Sequence, residues 1–229
     1  MDKINEIQAK ILCSLLFNPK ARFKDLNIDQ LTTDNFSYHI KSLLNLELIK
    51  KENNFYCLTN KGKMVAGKMD TTTNTVEKQP KVSVIIVPHQ IIKGEEKFLI
   101  QQRTKEPYFG YWGFISGKIK FGETLEESVL RELGEESGIT GKTKFCYEIH
   151  EMVYDKNTNE QLEDKFFHVV EVTDIKGEIK DTQEGRNKMM TVAEFRKIVP
   201  KYHNEDDLMT WFLNKDFKFK EEKYYIEKF

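Results

Sequence analysis

The chain has 229 residues, a formal net charge of -1 and an ordinary share of hydrophobic (39%) and charged (32%) residues. That length allows one large domain or two modest ones, and a near-zero balance excludes an overall basic field of the kind that gathers nucleic acid. The balance is uneven, however: residues 1–70 hold 11 Lys/Arg against 8 Asp/Glu, and the remainder 25 against 29.

Three cysteines, Cys13, Cys57 and Cys146, form no CxxC pair. An odd, scattered count argues against a disulfide framework or a zinc site, and Cys13 and Cys57 read as small core residues. With no secretory leader and no apolar run of membrane-spanning length, the expectation is a soluble, cytoplasmic protein that meets no membrane.

Ile4, Ile7, Ile11, Leu12, Leu15 and Leu16 recur at helical spacing and Pro19 follows the stop. A short helix around Phe23 to Leu26 comes next. Thr32 or Thr33 caps a third, with Phe36, Ile40, Leu43 and Leu44 facing inward and Asn35, Ser37, Tyr38, Lys41, Ser42 and Asn45 outward. Runs at Leu48–Lys51 and Phe55–Thr59 flank Asn53-Asn54, a hairpin signal because asparagine tolerates positive φ. A last helix is expected from about Asn60 to Met69. Residues 70–80, DTTTNTVEKQP, have linker composition, which divides the chain into 1–69, a linker 70–80, and 81–229.

Three helices, a hairpin and a helix resemble a winged helix-turn-helix domain, carried by FSYHIKSLLNLELIKKENNFYCLTNKG. The resemblance implies a third helix in the DNA major groove and a wing on the backbone. The implied contacts with duplex DNA are Tyr38, His39, Lys41, Lys50 and Lys51, with a homodimer meeting paired half-sites. Docking or oligomerisation is the competing use of such a domain.

After residue 80 the period changes. VSVIIVPHQ and KFLIQQR read as strands separated by Lys93-Gly94, and TKFCYEIHEMVYD and DKFFHVVEV as strands joined by DKNTNE. TVAEFRKIV and DDLMTWFL read as helices, and the tail from Lys215 has no clear reading. Mixed strands with appended helices predict an α/β or α+β sandwich.

The segment GKIKFGETLEESVLRELGEESGI carries the chemistry. Thr124 and Glu127 form a capping-box pattern and Gly138 suits a left-handed stop, so a helix spans about Leu125 to Ser137, with Leu125, Val129, Leu130 and Leu133 as its apolar stripe. Glu132, Glu135 and Glu136 share one face. At ~5 Å and an effective dielectric of about 20, each like-charged pair costs roughly 3 kcal/mol, which solvent screening cuts to a few tenths. A sheltered face of this kind needs a cation, and carboxylates are the donors that Mg²⁺ accepts. Arg131 can hold one carboxylate by a forked contact, and Gly117 and Gly122 let the preceding loop fold tightly, bringing backbone carbonyls near the metal.

Gly117, Glu123, Arg131, Glu132, Leu133, Glu135, Glu136, Gly138 and Ile139 match the Nudix box, G-x5-E-x7-R-E-U-x-E-E-x-G-U, at every specified position. The chain resembles Nudix hydrolases from about Pro80 to the mid-210s. The resemblance implies an α/β/α sandwich with a mixed sheet, preceded by the small α+β domain. It implies hydrolysis of a nucleoside diphosphate linked to another group X, with Mg²⁺ or Mn²⁺ as cofactor. Glu132, Glu135 and Glu136 would be ligands, with Gly117 contributing its carbonyl. One of these glutamates, or one from a later loop, would be the general base, and Glu123 and Arg131 would orient the ligands. Arg103, Tyr111 and Trp112 are the expected substrate contacts, the first for phosphate; Tyr108, Phe109 and Tyr111 are candidates to stack on a base.

The sequence departs from the family in places. Trp112, Phe114 and Gly117 keep the frame of W-x-F-P-G-G, but Ile115 and Ser116 replace its proline and first glycine. Gly134 sits mid-helix at a cost of about 1 kcal/mol against Ala. Family members specific for ADP-ribose carry a proline downstream of the box, whereas none lies between Pro107 and Pro200; the extra motif of NADH pyrophosphatases is absent too. The alternative function is a transcription regulator whose Nudix domain senses a nucleotide without turnover. Regulators of that kind carry the Nudix domain first and often an eroded box; here the order is reversed and the box intact.

Overall fold

The computed structural model describes residues 4–216 and 218–227. The chain forms two compact units, 1–78 and 79–229.

The first unit runs α1 (Glu6–Phe17), α2 (Phe23–Leu26), α3 (Thr33–Asn45), β1 (Ile49–Glu52), β2 (Phe55–Leu58), α4 (Asn60–Ala66), β3 (Met69–Asp70) and β4 (Thr75–Val76). Asn5 caps α1 reciprocally with Gln8, which satisfies amides that a helix start otherwise leaves open. Leu12, Leu15, Leu26, Phe36, Leu43 and Ile49 fill the core, and Phe23 meets Phe36 edge-on at 4.9 Å. The β1–β2 hairpin turns at Asn53 with φ 55°. The stretch expected to be an open linker folds back instead. Met69–Asp70 pairs with Thr75–Val76, and Asp70 Oδ1 accepts from the amides of Thr72 (2.7 Å) and Thr73 (3.1 Å). Its polar residues are turn residues. Helix α4 accordingly stops at Ala66, and Met69 is buried beside Cys13 at 3.8 Å.

The second unit contains β5 (Lys81–Ile92), β6 (Glu95–Arg103), β7 (Trp112–Gly113), β8 (Ile115–Lys118), α5 (Leu125–Ser137), β9 (Ile139–Asp155), β10 (Gln161–Gly177), β11 (Gly185–Met190), α6 (Val192–Lys197), α7 (Glu205–Leu213) and β12 (Lys220–Ile226). The strands make one mixed sheet ordered β11-β6-β5-β10-β9-β12, with β7 on β6 and β8 on β5. β5 runs parallel to β10, and β12 parallel to β9. Side chains alternate across a strand, so β5 feeds two cores. Val84 and Ile86 face Val129 and Leu133 of α5; Ile85 and Val87 lie with Phe195, Leu208 and Phe212 of α6 and α7. Helices on both faces of a mixed sheet make an α/β/α sandwich, the architecture expected.

Two elements of this unit escape periodicity. β11, GRNKMM, pairs with β6 although its composition is poor for a strand. The tail beyond Lys215 supplies edge strand β12; its Phe217 and last two residues lie outside the described residues.

Candidate active site

Helix α5 is fastened at both ends. Thr124 accepts from the Glu127 amide (3.2 Å), and the Glu127 carboxylate accepts from the Thr124 amide (2.8 Å). Gly138 ends the helix at φ 75°, a backbone angle that favours glycine. Val129 and Leu133 anchor the helix to the sheet, which brings Glu132 and Glu136 to the buried edge of the same face. Glu135, a turn outward, keeps 59% of its side chain exposed.

Arg131 gathers the acids. Its Nε and Nη2 donate to the two oxygens of Glu123 at 2.5 and 2.8 Å, a fork, while Nη1 donates to Glu132 (2.7 Å) and Glu135 (3.3 Å). Nη2 also reaches the Lys118 carbonyl at 3.1 Å, tying the helix to β8. The guanidinium holds the Glu123 carboxyl down at about 2, and Arg131 is itself shifted upward, chiefly by Glu123. Glu136 sits in a different environment. Burial pushes its carboxyl up to about 7, against a hydrogen bond from Gln101; Glu184 and Glu132 add to the rise and Lys105 opposes it.

Gly117 lies tight against the Glu132 side chain: a Cβ there would stand 2.0 Å from Glu132 Cδ and would push the carboxylate aside. The donor set of three carboxylates and a close backbone strand suits a hard divalent cation. Among the described residues, however, no group of three His, Cys, Asp or Glu side chains is gathered tightly enough to enclose a metal.

A NUDIX domain family model matches residues 78–212, more than half of the chain. The protein belongs to the Nudix family. It is 39% identical over 54 residues to an ADP-ribose pyrophosphatase of Methanocaldococcus jannaschii, a match covering 24% of this chain and 32% of that one. The chain thus spans about a third of that relative's length. Among solved structures it is similar to the NUDIX domain of Shewanella oneidensis NrtR complexed with ADP ribose, at TM-score 0.54 and 16% identity over 69% of this chain and 99% of that one. It is also similar to the mutator MutT protein of Bacillus halodurans, at TM-score 0.52 and 22% identity over 66% and 94%. Both likenesses speak to the fold.

The structure redirects several expected contacts around the Nudix box. The Arg103 guanidinium is used within its own loop, Nε donating to the carbonyls of Pro107 (2.7 Å) and Lys105 (3.0 Å). The guanidinium thus braces the loop after β6 and also bonds Tyr202. Trp112 packs, partly buried, against the core on the α6–α7 side, and its backbone pairs with Gln102. Tyr111 stays half-buried, its ring 5.6 Å from Tyr108 and 6.0 Å from Tyr202. Tyr108 is buried and Phe109 exposed. In the first unit Tyr38 is 66% exposed, and Lys41, Lys50 and Lys51 are exposed as well. His39 is the exception at 7%, its ring 3.4 Å from the Asn5 amide nitrogen. It lies on the packed face of α3, out of reach of DNA.

Residues without a local sequence signal complete the surroundings of Glu136. Asn187 of β11 donates to the carbonyls of Glu136 (2.6 Å) and Lys180 (2.8 Å), fixing the end of α5. Lys105 pairs with Glu184, and the Thr104 amide bonds the Glu184 carbonyl (3.1 Å), so two loops form one lip. No spacing announces these residues, because strand pairing between β6 and β11 brings them together.

Proposed function

We propose that this protein is a divalent-metal-dependent pyrophosphohydrolase that splits a nucleoside diphosphate linked to another group X into a nucleoside monophosphate and the phosphate of X. The observation that carries the reading is the assembled acidic face of α5, with Arg131 orienting Glu132 and Glu135 and with Glu136 desolvated beside them. Glu132, Glu135, Glu136 and the Gly117 carbonyl would hold Mg²⁺ or Mn²⁺, which when bound neutralises phosphoryl charge and acidifies water. Glu123 supports the ligands through Arg131. The proton of the attacking water goes to one of the three glutamates or to Glu184, the later-loop glutamate close enough to Glu136 to raise its pKa. Lys105, 42% exposed in its side chain and paired only with Glu184 among the described ion pairs, is placed to meet a substrate phosphate once released. Tyr111 offers an aromatic edge nearby.

ADP-ribose is the first substrate to try, since the Methanocaldococcus jannaschii relative is an ADP-ribose pyrophosphatase and the NrtR domain was solved with ADP ribose. The first unit is proposed as a winged helix that binds duplex DNA through Tyr38, Lys41, Lys50 and Lys51, acting as a homodimer. No described helix is long and apolar enough to cross a membrane, and three buried free cysteines suit the proposed cytoplasmic setting. A panel of nucleoside diphosphate derivatives with Mg²⁺ tests the enzyme. Turnover of at least one supports it; binding without turnover favours the sensing regulator, a reading to which the two-unit build also lends itself.

A further inference from the structure

The segment entering the Nudix box is held from a direction the box does not reveal. β7 lies between β6, where Gln101 pairs with Gly113 and Gln102 with Trp112, and the connector between α6 and α7. The Trp112 amide donates to the Pro200 carbonyl (2.9 Å), and the Tyr202 amide to the Trp112 carbonyl (3.2 Å). The next inward amide, that of Phe114, would find its acceptor in the Tyr202 carbonyl if the pairing continued. That carbonyl instead accepts from the Glu205 amide at 3.4 Å as α7 begins. The Glu205 side chain takes its place, with Oε1 accepting from the Phe114 amide at 3.1 Å.

Glu205 is only 4% exposed, and its Oε2 has no hydrogen-bond partner among the described residues. Burial pushes its carboxyl up to about 8, with Glu151 and Asp206 adding to the rise while the Phe114 amide and Lys201 oppose it. An apolar side chain would occupy this volume without the cost of desolvating a carboxyl group, but would leave a buried amide without an acceptor. Gly113 is the matching concession: a Cβ there would stand 2.2 Å from Glu205 Oε1 and 2.4 Å from the Tyr202 ring.

The consequences run to both ends of the acidic face. β7 leads through Phe114 into β8 and Gly117, which touches Glu132; on its other side it pairs with Gln101, which bonds Glu136. We infer that Glu205 is a positioning residue of this site: its carboxyl group holds β7 in register between β6 and the Pro200–Tyr202 connector, and so sets Gly117 and Gln101 against Glu132 and Glu136. The inference rests on the hydrolase reading for its effect on turnover, but not for its effect on β7 and the acidic face.

The test uses the full chain as wild type, Glu205→Gln, Glu205→Met, Gly113→Ala and Leu208→Ala, the last a core truncation in the same helix. Three readouts are taken: hydrogen exchange at the Phe114 amide, Mn²⁺ affinity by electron paramagnetic resonance, and kcat and KM on ADP-ribose with Mg²⁺. Gln keeps the acceptor, so Glu205→Gln stays within about twofold of wild type in all three. Glu205→Met and Gly113→Ala exchange the Phe114 amide at least ~10-fold faster. They weaken Mn²⁺ binding and lower kcat ~10-fold with KM nearly unchanged. Leu208→Ala lowers the melting temperature while keeping kcat. Unchanged Phe114 exchange in Glu205→Met, or an equal fall in kcat in Leu208→Ala, overturns the inference. If the wild type hydrolyses no diphosphate derivative, the hydrolase reading fails by itself. Phe114 exchange and Mn²⁺ affinity then decide the positioning role: faster exchange with weaker Mn²⁺ binding in Glu205→Met sustains it, and a wild-type value of either refutes it.

Discussion

The glutamates of α5 and those around α7 differ in what surrounds them. Glu123, Glu132 and Glu135 gather on one guanidinium at the rim of the second unit, where water reaches part of each contact. Glu151 and Glu205 are buried among other partners; Glu151 accepts from Asn204 at 2.5 Å and lies 3.3 Å from His203, and Glu205 holds a backbone amide. The first group shares one guanidinium, which holds Glu123 well below the usual carboxylate range, and under the proposed function its oxygens would be offered to a cation. The second supplies acceptors to buried donors, and burial makes the Glu205 carboxyl harder to ionise. Carboxylates in one unit thus differ by partner and burial, a division that under the proposed function separates chemistry from scaffolding.

The largest expected effect comes from breaking the acidic face of α5. Glu135→Gln and Glu136→Gln each lower kcat on the best substrate by about 10³-fold or more, as loss of a group acting in the transition state does, with far-ultraviolet circular dichroism unchanged. If both turn over at the wild-type rate, the assignment of the acidic face is wrong.

Metal sharpens the same contrast. At ~100 times its dissociation constant, Mg²⁺ or Mn²⁺ adds about 2.7 kcal/mol to the folded state, a rise of several degrees in melting temperature. Glu132→Ala loses that response in differential scanning calorimetry, whereas Glu205→Gln keeps it. An equal rise in Glu132→Ala counts against the site.

The two groups are unequally legible in the sequence. The α5 acids announce themselves because a helix converts spacing into a shared face, and the capping pattern at Thr124 and the glycine stop at Gly138 mark both ends. The hairpin at Asn53 and the packed face of α3 are readable for the same local reason, although His39, a surface contact by pattern, lies inside. Glu205 is 91 residues from its partner Phe114, and Asn187 is 51 from Glu136. Such contacts depend on strand order, which periodicity does not encode. Arg103 is read from the end of β6 as a phosphate contact, and the following loop turns back so that two of its carbonyls accept from Nε.

A pH series separates the buried carboxyls of Glu205 and Glu136 from the guanidinium-held carboxyl of Glu123 by sign. Glu205 is raised to about 8 and Glu136 to about 7. A carboxyl harder to ionise in the fold than in the open chain lends stability that is full below its unfolded pKa and is lost as pH rises through the folded one. Glu205→Gln cannot ionise, so its melting temperature falls less than that of the wild type between about pH 5 and pH 8. Glu123, lowered to about 2, acts oppositely: its stabilisation is present above its unfolded pKa and disappears as pH falls toward 2. A wild type and Glu205→Gln with parallel curves between about pH 5 and pH 8 would contradict the buried, uncharged state of Glu205.

The smallest effect belongs to the first unit. Weak duplex binding, steeply dependent on salt, is expected in fluorescence anisotropy, and Lys41→Ala reduces the salt slope by about one while weakening all sequences alike. Absence of binding by the full chain at low salt would leave the unit as a docking or dimerisation module.

The most direct test of the central claim is ³¹P NMR of the best diphosphate substrate incubated with wild-type protein and Mg²⁺ in ¹⁸O-labelled water. The account predicts cleavage between the two phosphorus atoms, giving two monophosphate esters with a single ¹⁸O incorporated in one of them, and no such products with Glu136→Gln. Tight binding of the substrate with no cleavage, or equal cleavage by Glu136→Gln, would contradict it.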